Sequence, residues 1–353
     1  HVRSRRQRQM CIRDSFITLC VFSVVALTGC GGEKSAQRQL KVYNWGDYID
    51  PEVIKDFEKE TGIKVIYDTF ATNEDMYVKI KSGGSDYDVA IPSDYMIKRM
   101  INEDLLEKID YNNVPNYKNI SDKFKNLAFD AKNEYSVPYM WGTVGIIYNK
   151  TMVQEPVDSW GILWNKKYAK QILMVDSPRD SIGVTLKYLG YSLNTDKDNE
   201  IEAAKLKLIE QKPLVLAYVV DEVKDKMIAG EAAMAVVWSG DAMFMKEKNS
   251  DLEYAIPKEG TNLWFDSIVI PKGAKHKKEA EEFINYLSRP DIAQRNVEYI
   301  GYATPIPEVE KNLDPDVQAD IAAYPGDQIL ANTEVFDDLS KNLVKYDKAW
   351  TEI

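Results

Sequence analysis

Four short segments put an aromatic ring next to a carboxylate where a regular element ends. They are Trp45-Gly46-Asp47-Tyr48, Pro92-Ser93-Asp94-Tyr95, Trp238-Ser239-Gly240-Asp241 and Trp264-Phe265-Asp266, and the loop Ile300-Gly301-Tyr302-Ala303-Thr304-Pro305 adds a further Tyr. Ring faces and carboxylates both attract positive charge, so the pairing suits an organic cation. Trp264 and Asp266 stand two apart on an extended segment and therefore face the same side as one wall. Taken singly, each segment is explained as well by core packing or, at Ser93, by a plain helix cap. Their recurrence at strand ends in both halves of the chain favours a binding box, because ligands sit at the carboxyl ends of strands in open α/β sheets.

Covalent chemistry has little to work with. Beyond His1 there is a single His, His276, in the basic run Lys272 to Lys278, where the start of a surface helix is expected. The three Cys are Cys11, Cys20 and Cys30, all ahead of the folded segment, which is left without a disulfide, a thiol nucleophile or a Cys-based metal site. No dinucleotide-binding GxGxxG, P-loop, HExxH or GxSxG is present. The expectation is a non-enzyme with no cofactor and no metal. A hydrolase built on two carboxylates alone stays open as an alternative.

The elements that must hold these segments alternate between strand and helix. A strand at Leu40–Ile49 breaks at Gly46, and Asp50-Pro51 opens an amphipathic helix over 51–60 that Gly62 stops. A β-branched strand at 63–67, a helix capped by Asn73, a strand at 87–91 and a helix through Met96, Ile97, Met100 and Ile101 follow. That order predicts a mostly parallel sheet with helices on its faces. Residues 103–133 lack a period, and the run from Tyr135 to Tyr148, interrupted by Pro138, Gly142 and Gly145, predicts a crossing between domains more than a regular strand. The alternation then restarts: strand 172–176, helices from Arg179 and Glu200, strand 214–217, a helix from Asp221 and strand 232–238. Leu263–Ile270 is the return crossing, followed by helices near 276–288 and 290–300 and a largely helical tail.

At 353 residues the chain is long for one core, so two lobes are expected. Asp plus Glu exceed Lys plus Arg by 56 to 45, a net charge of −11, which argues against nucleic acid as the main partner. Residues 1–13 are basic and start with His, with Met10 as a candidate start. Phe16–Leu27 is an apolar run of signal-peptide length. It ends in Leu27-Thr28-Gly29-Cys30, which resembles the lipobox of bacterial lipoproteins. The segment 1–29 is therefore expected to be a signal, Cys30 a lipidation site, and residues 30–39 a flexible tether.

Several runs together resemble one family. These are Leu40–Ile49, Glu60–Tyr67, Pro92–Tyr95, Val137-Pro138-Tyr139-Met140-Trp141-Gly142, Trp264-Phe265-Asp266-Ser267 and Gly301–Pro305. They are similar to segments of the spermidine/putrescine-binding proteins of bacterial ABC polyamine importers, an extracellular solute-binding protein family. The resemblance spans residues 40–353 with the segments in the family's order. It implies an α/β, two-lobed periplasmic-binding-protein-like fold of type II, with a two-crossing hinge and the ligand in the cleft. Lobe 1 would hold 40–143 plus 265–310, and lobe 2 would hold 144–264 plus 311–353. Trp45, Asp47, Tyr48, Ser93 and Tyr95 would bind ligand from the first lobe, with Asp180, Trp238 and Asp241 from the second. Trp264, Asp266 and Tyr302 would complete the box near the hinge.

The implied function is a monomeric, lipid-anchored, extracytoplasmic receptor that hands putrescine or spermidine to a membrane ABC permease. Ser177 stands where spermidine-preferring members tend to have Asp, and Val335-Phe336 where they have Trp-Gln. Trp238-x-x-Asp241 resembles putrescine-preferring members. The resemblance thus leans toward putrescine. A same-fold receptor for another small solute, such as an amino-containing osmolyte or an anion, remains the alternative.

Overall fold

The computed structural model describes residues 38–83, 86–339 and 342–353. The expected signal segment and the Cys30 lipidation site lie outside them. The first strand, β1 (Gln39–Trp45), buries Leu40 and Val42 completely. Helix α1 (Pro51–Thr61) forms as its caps direct. The Asp50 side chain accepts the Glu52 N–H, Pro51 takes the first turn, and Gly62 ends the helix at φ 70°. Val53 and Phe57 are its buried face.

β2 (Lys64–Phe70) and helix α2 (Asn73–Lys81) follow, with one change from expectation. Thr72 caps α2 by accepting the Asp75 N–H, which frees the Asn73 carboxamide for other partners. β3 (Val89–Ala90) is only two residues long and leads into α3 (Asp94–Asn102). β1 pairs in parallel with both β2 and β3.

Residues 103–133 contain short 3-10 turns at Tyr111–Asn113, Pro115–Asn119 and Asp122–Phe124. The run expected to be irregular is instead one long strand, β4 (Ser136–Asn149). Pro138 leaves a register shift between Pro138 and Met140 and does not end the strand. A proline cannot donate to the ladder, and a bulge absorbs the missing bond.

The second alternation comprises β5 (Ile172–Val175), α4 (Pro178–Tyr188), α5 (Asp198–Gln211), β6 (Val215–Val219), α6 (Glu222–Ile228), β7 (Met234–Trp238) and α7 (Ser239–Lys248). β8 (Leu252–Ala255), unforeseen from the sequence, pairs with β4. β9 (Thr261–Val269), α8 (Lys277–Leu287) and α9 (Pro290–Ile300) come next. The tail holds short helices at Pro307–Asn312, Pro315–Ala319 and Asp327–Leu330, the two-residue β10 (Thr333–Glu334) and a helix at Leu343–Glu352. No helix among the described residues is long and apolar enough to cross a membrane.

The sheet runs β2-β1-β3-β9-β4-β7-β5-β6, with β10 beside β9. Two antiparallel strands, β9 and β4, form its middle. Ser136 to Thr143 of β4 pair with β9, and from Val144 onward β4 pairs with β7. The three parallel strands on each side aim their carboxyl ends at the space between them.

Candidate functional site

That space is a cavity of about 670 Å³. Its wall is built from residues at or just after the ends of β1, β2, β3, β5, β6 and β7, together with one face of β9 and the loop after α9. All eleven residues nominated from the sequence line it.

From β1, the Trp45 indole donates to the Ile91 carbonyl at 2.8 Å and tilts against Phe70 at 4.5 Å between ring centroids. Asp47 adopts φ 49°, a left-handed conformation that Asp tolerates better than most residues. Its carboxylate is exposed. Tyr48 is buried and donates its hydroxyl to Asp266 Oδ2 at 2.7 Å.

Ser93 precedes α3 but makes no side-chain cap. Its Oγ instead accepts from the Asn73 amide at 3.1 Å, and the same amide donates to Tyr95 Oη at 3.1 Å. Tyr95 in turn donates to Glu74 Oε1 at 3.0 Å. The neighbouring Asp94 is fully buried, and its two oxygens accept the Tyr95 and Phe265 N–H groups at 2.6 and 2.9 Å. Asp94 thus ties α3 to β9, and burial pushes its carboxyl up to about 8.

Asp180 sits in the first turn of α4, where the Ser177 hydroxyl donates to its Oδ2 at 2.7 Å. Burial raises its pKa to about 6 against the opposing pull of Ser177 and Arg179. Asp241, in the first turn of α7, is also raised by burial to about 6, with Lys224 opposing. Asp266 on β9 is raised to about 6 by burial, with the Ser93 and Tyr48 hydroxyls opposing.

Trp238 ends β7 and Trp264 lies on β9 beside Asp266. Trp264 meets Tyr302 edge-on at 5.2 Å, and Tyr302 meets Tyr48 edge-on at 5.5 Å. Two glycines permit this packing. A Cβ on Gly240 would overlap the Tyr302 ring, and one on Gly142 would overlap the Trp264 ring.

Other wall residues escaped the sequence reading. Asn73 and Glu74 follow β2, and Asp221, Glu222 and Asp225 follow β6, so the strand-end rule applied to every strand would have found them. The wall also carries two cations. Arg179 is 4% exposed, with its guanidinium carbon 4.3 Å from the Phe336 ring centre and 5.2 Å from that of Tyr95. It donates to Asn194 Oδ1 and the Asp337 carbonyl, fixing the tail segment that brings Phe336 to the cavity. Lys224 holds its ammonium 3.3 Å from Asp221, 3.5 Å from Asp47 and 3.9 Å from Asp241. Nothing in the sequence marked either one as part of a cation box.

His276 is not a plain surface residue. It occupies the N-cap position of α8 without a side-chain cap, and its Nδ1 lies 3.0 Å from Oδ2 of the fully buried Asp88, away from the cavity.

Among buried wall atoms, the acceptors Asp180 Oδ1, Asn262 Oδ1 and Asp266 Oδ1 lack hydrogen-bond partners, as do the donors Arg179 Nε and Trp264 Nε1. Unpaired buried carboxylate oxygens are costly, and cationic donors relieve them best. Among the described residues no group of three or more His, Cys, Asp or Glu could hold a metal ion. The arrangement suits an organic cation with more than one charge, since carboxylates from several elements and aromatic rings line the same cavity.

The model of a bacterial extracellular solute-binding protein family matches residues 52–325. A spermidine/putrescine-binding periplasmic protein of Salmonella typhimurium is 36% identical over 337 residues, covering 95% of this chain and 97% of the relative. Among solved structures, a Listeria monocytogenes chain described as a spermidine/putrescine ABC transporter superposes with a TM-score of 0.87 at 46% identity, covering 89% of this chain and 98% of its own. The substrate-binding protein of a spermidine/putrescine ABC transporter from Streptococcus pneumoniae gives 0.78 at 44% identity, with the same coverage. The fold is accordingly the two-lobed α/β fold of periplasmic binding proteins, and the chain belongs to the bacterial extracellular solute-binding protein family.

Proposed function

We propose that this protein binds a linear polyamine, putrescine or spermidine, and delivers it to a membrane ABC permease without transforming it. One observation carries this reading. Three carboxylates withdrawn from water, Asp180 and Asp266 buried and Asp241 with its side chain 15% exposed, line one cavity together with Trp45, Trp238, Trp264 and Tyr302. Each ammonium of a polyamine needs a carboxylate when taken out of water, and the methylenes between need apolar cover. Ring faces add about 0.5–2 kcal/mol of cation–π attraction each. A receptor for an anion would need a predominantly cationic wall, whereas Arg179 and Lys224 are outnumbered here by carboxylates.

The lobes are taken as 40–143 plus 265–310 and 144–264 plus 311–353, a division supported by the change of partner between Thr143 and Val144 of β4. Closure would turn on β4 and β9, with ligand favouring the closed form by touching both lobes. The receptor works as a monomer outside the cytoplasm, held at the membrane through a lipid on Cys30.

A calorimetric and thermal-shift panel of putrescine, cadaverine, spermidine and spermine tests the reading. A ligand at 100 times its Kd should stabilise the fold by about 2.7 kcal/mol. No response to any of the four would overturn it.

A further inference from the structure

Lys224 does not behave as a surface lysine. It lies in the first turn of α6, its side chain is only 16% exposed, and it reaches into the cavity. Its three carboxylate neighbours are Asp47 from the loop after β1, Asp221 at the N-cap of α6 itself, and Asp241 from α7. A committed ammonium–carboxylate contact is about 2.7–2.9 Å long. At 3.3, 3.5 and 3.9 Å the Lys224 ammonium stands among the three, nearest to Asp221, which lies three residues before it. This carboxylate cage therefore already contains one positive charge, covalently tethered. A ligand gains from the carboxylates but meets repulsion from Lys224, and that repulsion adds up with every further charge the ligand carries.

We propose that Lys224 sets the charge preference of the site, favouring diamines over tri- and tetraamines by occupying one amine position itself. The inference rests on the polyamine reading above and deepens it. It concerns ligand charge and is separable from ligand length. Spermidine and 1,8-diaminooctane have terminal nitrogens separated by chains of equal length and differ in the central amine.

The test is titration calorimetry of the wild type, Lys224→Gln, Lys224→Met and Lys224→Arg with putrescine, spermidine, spermine and 1,8-diaminooctane. The wild type should bind 1,8-diaminooctane more tightly than spermidine. In the two neutral variants the affinity of spermidine relative to both diamines should rise by at least about tenfold, and that of spermine by more. Lys224→Arg should keep the wild-type ratios. Unchanged ratios in the neutral variants, an equal loss for all ligands, or tighter wild-type binding of spermidine than of 1,8-diaminooctane would each overturn the proposal. The wild-type comparison needs no variant, so it stands even if a substitution prevents folding. A wild type that binds none of these amines would overturn the polyamine reading, a distinct result.

Discussion

The Tyr48 hydroxyl lies 2.7 Å from Asp266 Oδ2, joining residues 218 apart in sequence. This bond holds one oxygen of a buried carboxylate in place and leaves Oδ1 without a partner. It also ties the loop after β1 to the central strand β9.

Asp266→Asn should therefore separate binding from stability. Removing one partner of a buried, hydrogen-bonded charge pair costs about 2–5 kcal/mol of affinity. The ligand-free variant should melt at or above the wild type at pH 8, because a buried charge has been replaced by a neutral amide. Calorimetry with putrescine and melting in its absence check the two halves.

Binding should weaken as pH falls through about 6. Asp180, Asp241 and Asp266 are raised by burial to about 6 in the ligand-free protein, and a bound cation stabilises their ionised forms and lowers those values. Association near pH 6 should release protons, and affinity should level off once pH is well above 6. The ligand-free fold should respond in the opposite sense. Its raised carboxyls bind protons that the unfolded chain has already lost, so their contribution to stability falls as pH rises from about 4 to 6, and Asp94 extends the loss toward 8. Calorimetry in buffers of different ionisation heat and melting across pH 4–9 would show both trends.

At Asp47 the expected outcome depends on the replacement. Its φ of 49° is tolerated by Asn, so Asp47→Asn should leave the melting temperature unchanged while weakening polyamine binding. Because the carboxylate is largely exposed, the loss should be modest, about 1 kcal/mol, and smaller at high salt. Asp47→Ala should lose the same affinity and about 1–2 kcal/mol of stability as well.

Gly240→Ala should disturb both fold and site. The added methyl meets the Tyr302 ring, and overpacking of this kind costs about 1–3 kcal/mol. Denaturant unfolding should register that loss. Displacement of Tyr302 from its edge-on contacts with Trp264 and Tyr48 should lower affinity in the same variant.

How far the site was legible follows from the range of the interactions. The α1 boundaries were readable because Asp50, Pro51 and Gly62 act within one turn. The α2 cap moved from Asn73 to Thr72 because Asn73 finds better partners in Ser93 and Tyr95, about twenty residues away in sequence. β4 stayed a single strand despite Pro138, Gly142 and Gly145 because both its flanks are paired, and no local propensity reports that.

By itself the sequence determined the alternation of strand and helix, and with it the strand ends where aromatic and acidic residues gather. Period and capping are local, so Trp45, Asp47, Ser93, Trp238, Asp241, Trp264 and Asp266 could be marked one segment at a time. Only the tertiary structure decided which charges meet. Burial raises the carboxyls of Asp180, Asp241 and Asp266, Tyr48 claims one oxygen of Asp266, and Lys224 enters the cage of Asp47, Asp221 and Asp241. Desolvation and Coulomb attraction act through space between elements far apart in the chain, so no spacing along the sequence encodes them.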